Sequence, residues 1–129
     1  MPAKAGGRVI GYQTARRIHL VASGIIAAIA LVHIGLAVPI YREWNPDAVW
    51  FVGTGIGLLV LAALNLAHIG IEPCHMPTAR FVRVVNWLYA IFALVTLLAV
   101  PEPQAVALAF LMMVQSIVAS RTLPGPRNS

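Results

Sequence analysis

Ile18 to Tyr41 reads IHLVASGIIAAIALVHIGLAVPIY, without a single Asp, Glu, Lys or Arg. At about 1.5 Å of rise per residue, a helix over this stretch is long enough to cross the ~30 Å apolar core of a bilayer. Three more apolar runs follow: Ala48 to Ile71, Phe81 to Val100 and Gln104 to Ser120. Pro73 and Pro77 punctuate the link between the second and third runs, and Pro101 and Pro103 that between the third and fourth. Links this short join neighbouring antiparallel helices. The sequence therefore predicts an all-α, up-down-up-down bundle of four transmembrane helices, with spans at about 18–41, 48–71, 81–100 and 104–120. Residues 1–17 are expected to be a basic tail and residues 121–129 a second one. The first run is too long, and too far from the start, to be expected as a cleavable signal.

Composition supports lipid as the solvent. Of 129 residues, 60% are hydrophobic and only 10% charged, too little polar surface for a soluble domain. Four spans leave no room for a second domain. The charges also have a sided distribution. Lys4, Arg8, Arg16 and Arg17 precede the first run, Arg80 and Arg83 lie between the second and third, and Arg121 and Arg127 follow the fourth. Only Arg42 falls in a link of the opposite parity. Cytoplasmic segments retain Lys and Arg, so both termini are expected inside. Tyr41, Trp44 and Trp50 would then form an aromatic belt at the outer interface. The net charge of +5 is scattered beside apolar runs, as expected of topology signals meeting lipid headgroups, and it does not indicate nucleic acid.

Two patterns bear on packing. Gly53, Gly55 and Gly57 lie in the second run, with Gly53 and Gly57 at the four-residue spacing that lets helices approach closely. Small or polar residues recur at steps of three and four as His19, Ser23, Ile26, Ala30, His33 and Ala37. Similar stripes are Asn86, Ala90 and Ala93 in the third run, and Ala105, Ala109, Met112, Ser116 and Ala119 in the fourth. Such stripes are expected to face other helices.

The polar residues inside the spans define the candidate site. Polar groups are costly to expose to lipid and turn toward a bundle interior. Ser23, Asn65, Asn86, Gln115 and Ser116 are expected there, in the cytoplasmic half, as hydrogen-bonding glue. His68 and Glu72 are four residues apart and can present imidazole and carboxylate to one ion. Cys74, His75 and Met76 follow, and His19 could close the set, which offers donors suited to zinc or copper. His33 stands alone in the outer half. It is read either as hydrogen-bonded to Thr54 or a carbonyl, or as a cofactor ligand to haem iron, with the glycines making room for a flat ring. Neither a metal nor haem is favoured over simple helix glue. Cys74 is the only cysteine, which excludes paired-thiol redox chemistry. No Asp or Glu lies deep in a span, which departs from small proton-coupled exporters, and no serine has a nucleophile context.

Trp50-Phe51-Val52-Gly53-Thr54-Gly55-Ile56-Gly57, with Leu58, Leu59 and Asn65, resembles the second span of small, largely uncharacterised four-helix bacterial inner-membrane proteins, loosely DoxX-like. The resemblance covers about half the chain and implies a multi-pass protein of the bacterial inner membrane, without carrying over a catalytic residue. The first functional expectation is a non-enzymatic accessory or homo-oligomer-forming subunit whose partners are the lipid bilayer or other membrane subunits. The alternatives are a metal- or haem-binding membrane protein and a carrier or enzyme for a small apolar molecule. Reporter fusions after Arg80 and Arg121 are expected to read cytoplasmic, and one within 42–47 external. The opposite pattern would overturn the orientation.

Overall fold

The computed structural model describes residues 5–70 and 76–122, with side chains from residue 11 onward and again from residue 77. Four α-helices fill these residues: α1 over Ala5–Ile40, α2 over Pro46–Gly70, α3 over Met76–Ala99 and α4 over Pro103–Thr122. Each is long and apolar enough to cross a membrane, the first over Gly11–Ile40. The helices are longer than the apolar runs. Residues 5–17, expected as a loose tail, are helical, because Arg, Gln and Ala continue a helix as readily as apolar residues do.

Side-chain and proline chemistry at the ends sets the other boundaries. Asn45 caps α2: its Oδ1 accepts the Ala48 N–H at 2.8 Å, and Pro46 takes the first helical position, where a missing N–H costs nothing. At α4 the Glu102 carbonyl accepts the N–H groups of Ala105 and Val106, and Pro103 again leads the helix. Pro77 is accommodated in the first turn of α3.

The expected stripes on three helices are the buried faces. On α1, His19, Ser23, Ile26 and Ala30 are fully buried and Ala37 nearly so; on α3 Asn86, Ala90 and Ala93 are buried, and on α4 Ala105, Ala109, Met112, Ser116 and Ala119. Ile26, Ala30, Leu58, Leu61, Ala62, Ala90, Ala93, Ala109 and Met112 form one apolar core shared by all four helices. The outward faces carry large apolar side chains such as Val60, Leu88, Leu98 and Phe110, as lipid contact requires. α1 packs closely on α2 and also on α4, α3 packs on α4, and α2 meets α3 through a much thinner contact.

On α2 the glycine reading needs correction. The close approach is at Gly55, which lies on the same face as Leu58, Ala62, Asn65 and His68. A Cβ there would lie 2.6 Å from Ile34 Cγ1 and 3.2 Å from the Ala30 carbonyl oxygen of α1. Gly53 has open space, and Gly57 makes room only for the Tyr89 hydroxyl. Spacing alone selected Gly53 and Gly57, but they are turned away from the helix that α2 packs on. Gly55→Ala is accordingly expected to cost about 1–3 kcal/mol, since α1 backbone cannot yield cheaply, whereas Gly53→Ala should be neutral or slightly stabilising. Thermal unfolding in detergent checks this, and the reverse order would place the helix contact elsewhere.

Candidate functional site

Two features stand out, a polar layer through the core and a cavity nearer the α1–α2 and α3–α4 links. The polar layer assembles from all four helices. Asn65 of α2 and Asn86 of α3 form a reciprocal amide pair, Asn86 Nδ2 donating to Asn65 Oδ1 at 2.9 Å and Asn65 Nδ2 to Asn86 Oδ1 at 3.2 Å. Each amide nitrogen also donates to the carbonyl one turn back in its own helix, that of Leu61 or Val82, at 2.8 Å. Those carbonyls can only accept, so the orientation of both amides is fixed. Asn65 Oδ1 must then accept from His19 Nε2, 2.8 Å away, which places the ring proton on Nε2. His19 Nδ1 meets the Thr122 hydroxyl of α4 at 2.7 Å. That hydroxyl also reaches the Val118 carbonyl at 3.0 Å, so its single proton can serve either acceptor.

A second branch runs beside the first. Gln115 Nε2 donates to Ser23 Oγ, and Ser23 Oγ donates to the His19 carbonyl, each at 2.8 Å. The Ser116 hydroxyl lies between the Met112 carbonyl at 2.8 Å and the Asn86 carbonyl at 2.9 Å. Gln115 Oε1 is buried without a hydrogen-bond partner. Ser23, Asn65, Asn86, Gln115 and Ser116 thus lie inside the bundle, and Asn65 bonds both His19 and Asn86 directly. His68 is buried one turn further along α2. Both ring nitrogens of His19 are engaged, so a metal at His19 would have to displace Asn65 or Thr122. Glu72, Cys74 and His75, the rest of the expected donor set, lie outside the described residues, and the described ones contain no group of three His, Cys, Asp or Glu that could hold a metal ion. Thr122 was missed in the sequence. It continues the α4 stripe three residues past Ala119, but Arg121 marks an apparent end to the span before it.

The cavity measures about 660 Å³ and is lined by residues of every helix and of both links. Ile29, Phe51, Leu58, Ala105 and Leu108 supply apolar walls; His33, Tyr41, Asp47, Thr54, Thr96, Glu102 and Gln104 supply the polar groups. His33 does not bond Thr54, whose hydroxyl donates to the Trp50 carbonyl at 2.9 Å. Instead its ring stacks on Phe51 with centroids 3.6 Å apart and planes 21° apart, and Tyr41 meets Phe51 edge-on at 5.6 Å. His33 makes no hydrogen bond among the described residues. A second hollow of about 410 Å³ shares Trp50 and Thr54 with the first and runs between α2 and α3 along Gly53, Gly57, Tyr89 and Phe92. The open side of Gly53 is therefore part of the wall of this crevice, and Tyr89 lies against Gly57. The aromatic pairing and the cavity were not anticipated; the one sequence signal was His33, a polar residue on a buried stripe without an obvious mate.

No family model, curated protein or solved structure matches this chain.

Asn65→Leu leaves His19 Nε2 and Asn86 Oδ1 without partners and should cost about 1–3 kcal/mol. Gln115→Leu loses one bond but removes the orphaned carbonyl, so it should stay within about 1 kcal/mol of wild type. Asn65→Leu with Asn86→Leu together should cost less than the sum of the two singles. Unfolding midpoints in detergent test all three, and strict additivity would deny that the amides act as a pair.

Proposed function

We propose that this chain is a non-enzymatic, multi-pass protein of the bacterial inner membrane that binds a small apolar molecule taken from the bilayer. In this reading the helices run up-down-up-down with both termini cytoplasmic. The distribution of Lys and Arg supports that orientation. The joint lining of one cavity by residues of the α1–α2 and α3–α4 links supports the alternation. The cavity then lies in the outer half and the Asn65–Asn86 layer toward the cytoplasm.

The cavity is the observation that carries the reading. Its size and its mostly apolar lining with a few convergent polar groups are those of a small-molecule site. The crevice between α2 and α3 provides lateral access from lipid. The polar layer has the opposite character, since among the described residues nearly all its donors and acceptors are committed to one another. The accessory-subunit reading has no comparably specific feature, because exposed apolar side chains occur on every helix.

A neutral environment-sensitive fluorophore such as N-phenyl-1-naphthylamine should bind the purified protein saturably, about one per chain. Ala107→Trp, which directs an indole into the cavity from an exposed position, should weaken that binding about tenfold or more while leaving thermal stability unchanged. Non-saturable partition equal to that of empty micelles would overturn the proposal.

A further inference from the structure

The charge on the cavity rim selects the ligand class. Two carboxylates, Asp47 and Glu102, line the cavity, and no Lys or Arg does. Both carboxylates are exposed, and neither is in an ion pair among the described residues. The partner of Glu102 is the neutral amide Nε2 of Gln104. The one basic residue of the adjoining link, Arg42, lines a separate small cleft with Glu43 and Trp44. An anionic head entering the cavity would meet two like charges and no compensating cation.

The rest of the lining suits a cation with an apolar body. Trp50 and Tyr41 line the same cavity as the acids, and aromatic faces attract alkylammonium and related cations. A bare metal ion is poorly served, because the two carboxylates border a wide and mainly apolar space with too few oxygens to replace a hydration shell. A neutral ligand would use the walls but gain nothing from the acids.

We infer that the cavity binds a lipophilic monocation, a quaternary or protonated amine or a phosphonium with bulky apolar substituents, held by Asp47 and Glu102 at the rim and by the aromatic group of Tyr41, Trp50 and Phe51. This inference rests on the reading of the cavity as a small-molecule site and assigns that site its charge preference. The His33–Phe51 stack forms the floor against which an aromatic substituent lies, and the crevice between α2 and α3 admits the apolar body before the charged centre reaches the acids.

Tetraphenylphosphonium and tetraphenylborate are nearly isosteric ions of opposite charge and make the test. Equilibrium dialysis of the full chain in a non-ionic detergent should show saturable phosphonium binding and at least about tenfold weaker borate binding. Asp47→Asn with Glu102→Gln should weaken phosphonium binding about three- to tenfold and reduce the discrimination between the two ions, with a smaller effect on the neutral fluorophore than on the phosphonium. Both positions are exposed, so unchanged thermal unfolding verifies the fold of the variant. Equal binding of the two ions, or a double variant indistinguishable from wild type, would overturn the cation assignment and leave the cavity reading standing. Failure of phosphonium and neutral fluorophore alike to bind saturably would overturn both.

Discussion

The reciprocal amide pair of Asn65 and Asn86 is the contact on which the architecture turns. α2 and α3 otherwise meet through a much thinner contact than the other packed pairs, and in an apolar medium there is no hydrophobic drive to bring helices together. Two amides that satisfy each other supply a directional link instead. Because each also donates to a carbonyl one turn back in its own helix, neither can rotate without losing two bonds. The fixed orientation then dictates the His19 tautomer, which brings in α1, and the other ring nitrogen reaches Thr122 of α4. One constraint, the partnering of polar groups away from water, thereby fixes the relative depth of four helices.

Beyond this pair an opening lies between α2 and α3. Leu58, on the cavity wall, and Asn65 are seven residues apart along α2, about 10 Å of helix. Over that distance the two helices change from hydrogen-bonded neighbours to the walls of a crevice floored by Gly53 and Gly57. Glycine there removes side chains that would fill the gap. On α2 the glycines thus have different uses: Gly55 lets α1 approach closely, Gly53 leaves open space, and Gly57 makes room for the Tyr89 hydroxyl of α3.

Much of this was legible in the sequence, and what was not has a physical cause. The buried faces of α1, α3 and α4 follow from three- and four-residue steps, because a helix must turn its small and polar residues away from lipid and periodicity records that directly. Asn65, Asn86 and His19 could be brought together because each lies in the half of its apolar run nearer a basic segment. The α2 face was misread because spacing says that two glycines share a side but not which neighbour lies there. The His33 partner was misread for a related reason. The Thr54 hydroxyl donates to its own helix, and the His33 ring stacks on Phe51 instead. A cavity is the least legible feature, since it belongs to the distance between helices and to no residue in particular.

The two ends of the bundle differ in how their polar groups are engaged. In the layer, nearly every donor and acceptor is committed within the protein, and no formal charge takes part, so the layer holds register without the desolvation cost of buried ions. Gln115 Oε1 is the exception among the described residues, buried without a hydrogen-bond partner. Around the cavity the hydroxyls of Thr54 and Thr96 are turned back onto their own helices and Glu102 accepts from the Gln104 amide, which leaves the imidazole of His33 and the Asp47 carboxylate without a hydrogen-bond or ion-pair partner among the described residues. A membrane protein that needed only stability would gain by filling that space with apolar side chains. Keeping it open, with directional polar groups at its edge and a rigid hydrogen-bonded layer below, is the arrangement expected where the missing contacts are made by a bound molecule.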